Sequence, residues 1–69
     1  MAISIVMATY NGEKYIVEQL ESIVSQISLG DEIIICDDCS SDNTVKIVEA
    51  YINNKHLQDI ISISVNEHN

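Results

Sequence analysis

Sixty-nine residues make at most one small domain, and a chain of this length buries only about 60% of the surface its unfolded form exposes. An apolar content of 46% excludes a disordered tail, while the longest apolar runs are far too short to span a bilayer. Three lysines, no arginine and eleven acids give a net charge of −8, which opposes nucleic acid as a partner and requires that any phosphorylated ligand be neutralised by a cation or by basic residues elsewhere.

Ile3-Ser4-Ile5-Val6-Met7 is short and rich in β-branched residues and reads as a strand, with Ala8 to Gly12 as the turn after it. From Glu13 to about Ser28, Ile16, Leu20, Ile23, Val24 and Ile27 recur at three- and four-residue steps, the pattern of an amphipathic helix. Asn11 is the expected N-cap, Glu13 and Glu18 suit the positive end of the dipole, and Leu29-Gly30-Asp31 is the expected stop. Glu32 to Cys36 is the second strand, and its uninterrupted Ile33-Ile34-Ile35 predicts burial on both faces. Ser41 or Asp42 caps a second helix to about Asn53, with Val45, Val48, Tyr51 and Ile52 as its inward stripe. Ile60 to Val65 is a third strand.

This order predicts an α/β fold, a βαβαβ parallel-sheet segment of the mononucleotide-binding kind with right-handed crossovers. Strands this apolar fit the middle of a three-layer structure, yet two helices are too few to cover both faces. Residues 1–69 are therefore expected to be the amino-terminal, truncated part of a longer domain, with exposed apolar surface and self-association when isolated. The opening Met1-Ala2-Ile3-Ser4 lacks a basic n-region and a long apolar h-region, so the expected location is cytoplasmic, at the inner face of the membrane through parts beyond these residues.

Chemistry concentrates at two strand ends, Ala8-Thr9-Tyr10-Asn11-Gly12 and Cys36-Asp37-Asp38-Cys39-Ser40-Ser41-Asp42. In open α/β sheets ligands bind at the carboxyl ends of strands, where loop groups are not consumed by sheet pairing. Cys36 and Cys39 have C-x-x-C spacing, but Asp37 and Asp38 between them raise a thiol pKa where a redox site needs it lowered. Cys36 is better read as the last buried strand residue and Cys39 as a small loop residue. Neither forms a zinc-ligand spacing with His56 or His68. The first turn has no G-x-G-x-x-G and no G-x-x-x-x-G-K-[ST], which argues against a dinucleotide cradle and a P-loop. A phosphoacceptor receiver domain needs paired acids after its first strand, where this chain has Ala8-Thr9-Tyr10-Asn11.

The remaining set is a ring (Tyr10), an amide (Asn11), a hydroxyl (Thr9) and two carboxylates (Asp37, Asp38). A pyrimidine base suits it: the flat face stacks on Tyr10, and the ring N–H of uracil or thymine donates to a carboxylate, a charge-assisted bond about twice as strong as a neutral one. Cytosine has no N–H at that position. A noncatalytic small-molecule or Mg²⁺-binding α/β module is the competing reading.

With those residues in place, Ile3 to Gly12, Tyr15-Ile16, Leu20-Glu21-Ser22-Ile23 with Gln26, and Asp31 to Thr44 resemble the amino-terminal segment of family 2 glycosyltransferases. The match covers nearly the whole chain in order and spacing. The resemblance implies a GT-A, Rossmann-like fold and inverting transfer of a sugar from a UDP- or dTDP-linked donor to a glycan or lipid-linked acceptor. The Met-Ala-Thr-Tyr-Asn-Gly-Glu opening is similar to bacterial cell-surface polysaccharide members, rhamnosyltransferase-like ones included. Carried over by position, base-binding roles fall on Ala8, Thr9, Tyr10 and Asn11, with Asp38 facing the uracil-type ring and Asp37 supporting the loop or ribose.

Alanine at position 8 replaces the proline often found there in the family, without removing a donor or acceptor. The family's Asp-x-Asp motif, which holds Mg²⁺ or Mn²⁺, and its catalytic base have no counterpart by position 69, so the segment alone is expected to be inactive. Helix capping is the bland account of Asp37 and Asp38 and the preferred one for Asp42. Glu13 divides between a dipole partner and a ribose contact. Tyr15 and Tyr51 are expected to pack, and His56 and His68 receive no role.

Overall fold

The computed structural model describes residues 2–28 and 30–66; Leu29 of the expected helix stop, and His68, lie outside them. Five elements follow in order: β1 (Ser4–Thr9), α1 (Ile16–Val24), β2 (Glu32–Asp37), α2 (Thr44–Asn54) and β3 (Ile61–Val65). The strands form one parallel sheet in the order β1-β2-β3. Its register pairs Ile5 with Ile33 and Thr9 with Asp37 on one side of β2, and Ile33 with Ile61 and Asp37 with Val65 on the other. This is the βαβαβ parallel arrangement that the alternation of patterns predicts.

Strand parity decides where the core lies. Side chains alternate between the two faces of a sheet, so odd-numbered residues of all three strands share one face here. Ile33, Ile35 and Ile61 on that face join Ile16 and Leu20 of α1 and Val48, Tyr51 and Ile52 of α2 in one buried cluster, with Ile5, Met7 and Ile63 packed against it. Burial, with the charge of Glu21 beside it, pushes the Tyr51 phenol up from its ordinary value, consistent with its predicted packing role.

The even-numbered face differs. Val6 is 69% exposed, Ser4, Ala8, Ser62 and Ser64 are exposed, and Ile34 and Cys36 are half-buried. The isoleucine run is thus fully buried at Ile33 and Ile35 and only partly at Ile34. Both helices contribute to the odd-face cluster, so the described residues supply two layers, the sheet and one helical layer. No helix among them is long and apolar enough to cross a membrane.

α1 is shorter than its apolar periodicity, while α2 spans all of its expected stripe. α1 begins at Ile16 because Glu13 to Tyr15 form a turn closed by Tyr15 N and Ile16 N donating to Gly12 O (2.9 and 2.8 Å). Asn11 does not cap it, since its Oδ1 accepts from Ser41 N (2.8 Å). Past Val24 the Ser25 hydroxyl donates to Ser22 O (2.8 Å), a local competitor of helical bonding, and the Asp31 carboxylate takes Ser28 N (2.7 Å). α2 ends on His56 in the left-handed region (φ 56°), with Leu57 N bonded to Ile52 O (2.9 Å) and His56 N to Asn53 O (3.3 Å). This is the paired cap that glycine usually provides. The role sequence reading left blank for His56 is therefore conformational.

Candidate functional site

β2 runs one residue further than its apolar run suggests, to Asp37, and parity turns that carboxylate inward beneath the ends of β1 and β2. It is 0% exposed, so its charge requires hydrogen bonds. Thr9 Oγ1 and Ser40 Oγ donate to Oδ1 (2.7 and 2.6 Å) and Ser40 N donates to Oδ2 (2.8 Å). Burial pushes the Asp37 pKa up, but the Ser40 hydroxyl, the Ser40 N–H and the Thr9 hydroxyl together outweigh it and leave the carboxyl below its ordinary value, against the opposing charge of Asp42. Asp37 supports the loop. The Thr9 hydroxyl, expected to be open to a ligand, is instead buried and donated to Asp37.

The extension of β2 also corrects the reading of Cys36, which is the penultimate strand residue, half-buried on the even face, with the Ser64 hydroxyl 4.0 Å from its sulfur. Neither Cys36 nor Cys39 is in a disulfide.

The two loops are bound to one another by their polar groups. Asn11 N donates to Ser40 Oγ (2.8 Å), Gly12 N to Thr44 Oγ1 (2.9 Å) and Glu13 N to Asp42 Oδ2 (3.2 Å). In the other direction Ser41 N and Ser41 Oγ donate to Asn11 Oδ1 (2.8 and 3.3 Å). Asn11 sits at φ 49°, a left-handed conformation that asparagine accepts more readily than most residues. Asp42 also accepts from Thr44 N (3.0 Å) and from the Thr44 hydroxyl, a structural role, although the N-cap of α2 is Asn43 and not Ser41 or Asp42 as expected. Slight burial raises its pKa, and the bonds from Thr44 and Glu13 lower it further than burial raises it.

Tyr10 and Asp38 occupy matching places just beyond the paired residues Thr9 and Asp37, and Asp38 N donates to Thr9 O (2.9 Å). Neighbouring strands lie about 5 Å apart, so the two residues stand side by side at the sheet end. Both are exposed, Tyr10 to 56%. Among the described residues no hydrogen bond or ion pair engages the Asp38 carboxylate, in contrast to Asp37 and Asp42. Ala8 and Glu13 are exposed near the same turn. A cleft of about 240 Å³ is lined by Ala8, Tyr10, Asn11 and Tyr15 with Gln19, and continues into a groove of about 670 Å³ along Met7, Glu18 and Ser22. Asp38 lies outside both.

The arrangement suits one end of a nucleotide better than the other. Turn amides can bind phosphate, but here those of Asn11, Gly12 and Glu13, in the turn before α1, are taken by Ser40, Thr44 and Asp42, and the surrounding carboxylates repel anions. No group of three or more His, Cys, Asp or Glu side chains converges among the described residues in a way that holds a metal. An exposed ring and, on the adjacent chain segment, an acid with unused acceptor capacity can stack on a flat ring and accept a hydrogen bond.

The sequence pattern described as Glycosyl transferase family 2 matches residues 4–69. The chain belongs to that family. It is 43% identical over 60 residues to the poly(ribitol-phosphate) beta-N-acetylglucosaminyltransferase TarS of Staphylococcus aureus, covering 84% of this chain and 10% of TarS. It is 53% identical over 45 residues to the dTDP-rhamnosyl transferase RfbG of Shigella flexneri, covering 65% of this chain and 16% of RfbG. The crystal structure of S. aureus TarS 1-349 in complex with UDP-GlcNAc superposes with a TM-score of 0.81 at 38% identity, over 100% of this chain and 19% of that one. The chain thus spans a small fraction of the length of these relatives. Its fold is the amino-terminal part of the GT-A structure seen in TarS, as the resemblance implies.

Ser40, Ser41 and Thr44 join the two loops of the candidate site, a role the sequence does not display directly. The signal was present in parity, since Ile33, Ile35 and Asp37 share a face, so Asp37 has to be buried and needs nearby donors.

Proposed function

We propose that the complete protein is an inverting glycosyltransferase of cell-surface polysaccharide synthesis, in which this chain supplies the nucleoside-binding half of the donor site. The donor is a UDP- or dTDP-linked sugar and the acceptor a glycan or lipid-linked hydroxyl, reached from the cytoplasmic side of the membrane. Relatives named as acting with such donors support this reading, as does the UDP-GlcNAc held by the superposable TarS structure. In this proposal the catalytic base and the ligands of a divalent cation, Mg²⁺ or Mn²⁺, come from residues beyond Asn69.

One observation carries the proposal: an exposed, unengaged Asp38 stands beside exposed Tyr10 on a loop pair whose amides are already committed. Tyr10 stacks on the base and Asp38 accepts the ring N–H of uracil or thymine. Ala8 and Asn11 border the same turn, Thr9 acts through Asp37, and Glu13 is placed toward the ribose. Asp38→Ala in the full-length protein is expected to weaken UDP binding, measured by calorimetry, by about tenfold to a hundredfold, the loss of one hydrogen bond to a charged group. Unchanged affinity counts against the base-pocket assignment.

A further inference from the structure

Two of the bonds between the loops share one design. At Asn11 the backbone N–H donates to Ser40 Oγ (2.8 Å), and that hydroxyl passes its own proton to Asp37 Oδ1 (2.6 Å). At Gly12 the N–H donates to Thr44 Oγ1 (2.9 Å), and that hydroxyl donates to Asp42 Oδ1. A hydroxyl has a single proton; giving it to a carboxylate directs the lone pairs at the incoming amide and fixes the rotor. Both carboxylates belong to the second loop and both amides to the first, so each hydroxyl couples the two loops across 29 and 32 residues of sequence.

Their place makes these relays more than general stabilisation. Asn11 directly follows Tyr10 and is held at φ 49°, so the Ser40 bond fixes the peptide that carries the Tyr10 ring. Asp38 directly follows Asp37, the other end of the same relay. Thr44 is 0% exposed and offers no surface to a ligand, and Ser40 Oγ is occupied on both its donor and acceptor sides.

We infer that Ser40 and Thr44 are positioning residues of the nucleoside pocket: their hydroxyls lock the Tyr10 turn against the Asp38 loop before any ligand arrives. This rests on the assignment of Tyr10 and Asp38 to the base. A pocket locked in advance loses less freedom on binding, so breaking a relay costs affinity without removing any ligand contact.

The test uses the full-length protein and UDP as the probe. Ser40→Ala and Thr44→Val remove only the hydroxyl function, while Ser40→Thr and Thr44→Ser keep it. UDP binding is expected to weaken about tenfold in the first pair, the scale on which small misplacements act, and to stay within about threefold in the second. In turnover the donor KM rises in the first pair while kcat at saturation changes less.

Amide hydrogen exchange supplies a readout that does not need a folded variant. In the unsubstituted, ligand-free protein the Asn11 and Gly12 amides exchange slowly; fast exchange there overturns the inference. Asp38→Asn separates the two readings, since it keeps both amides protected and weakens UDP. If Asp38→Asn loses UDP affinity while Ser40→Ala and Thr44→Val bind UDP as the parent does, the relay is overturned and the base pocket stands. If Asp38→Asn binds UDP unchanged, the base pocket falls, and slow exchange lost in Ser40→Ala and Thr44→Val still establishes the lock.

Discussion

Each end of the sheet is held by one buried aspartate, and the two behave differently. At the amino end Asp31, 9% exposed, accepts from Ile3 N (2.9 Å) and Ser28 N (2.7 Å), fastening the approach to β1 to the loop after α1. At the carboxyl end Asp37, 0% exposed, accepts from two hydroxyls and one amide, and the Ser40 hydroxyl leads onward to the loop after β1 through Asn11 N. The Asp31 clamp closes on backbone and goes no further. The Asp37 clamp has exposed Tyr10 and Asp38 as its immediate neighbours. Burial and hydrogen bonding of an acid therefore do not mark a site; what marks it is an unengaged group held in place by a buried, engaged one.

The largest expected effect comes from breaking the carboxyl-end clamp. Asp37→Ala strands the Thr9 and Ser40 donors in a buried place and is expected to cost about 3–5 kcal/mol in urea denaturation, with nucleotide affinity lost as well. Asp31→Ala is expected to cost about 2 kcal/mol while leaving UDP affinity within error. Equal loss of UDP affinity in the two variants erases the distinction between the ends.

A smaller effect tests the carboxyl-end clamp by acidity. The Asp37 carboxyl lies lower in the folded chain than in the unfolded one, so its contribution to stability is complete above the unfolded value of about 3.9 and is lost as pH falls through the folded one. Melting followed from pH 6 downward is expected to show this acid loss in the parent and a shallower one in Asp37→Asn. Identical slopes in the two proteins remove Asp37 from the account.

The elements were legible from sequence because their signals are local. The apolar run Ile33-Ile34-Ile35 names a strand and the 3.6-residue period of Ile16 and Leu20 names a helix without knowledge of neighbours, but the run predicts burial on both faces, whereas Ile34 is only half-buried. Partnerships across the loops were not legible in the same way. Asn11 looks like a helix cap until Ser41, 30 residues on, takes its side-chain oxygen. Thr9 looks available until Asp37, 28 residues on, takes its proton. Asp42 is legible as structural because its partner Thr44 is two residues away, although the N-cap itself is Asn43. His56 shows the remaining kind of miss, a left-handed helix terminus carried by a residue other than glycine.

The committed amides of Asn11, Gly12 and Glu13 also set a rule for small molecules directed at this end of the sheet. For the proposed base pocket, an inhibitor built on a uracil-like imide gains nothing from an anionic tail aimed at these three amides, because each already has an acceptor. Uncharged scaffolds are therefore the natural starting chemistry for the proposed nucleoside pocket, with selectivity sought along the groove that Tyr15, Gln19 and Ser22 border.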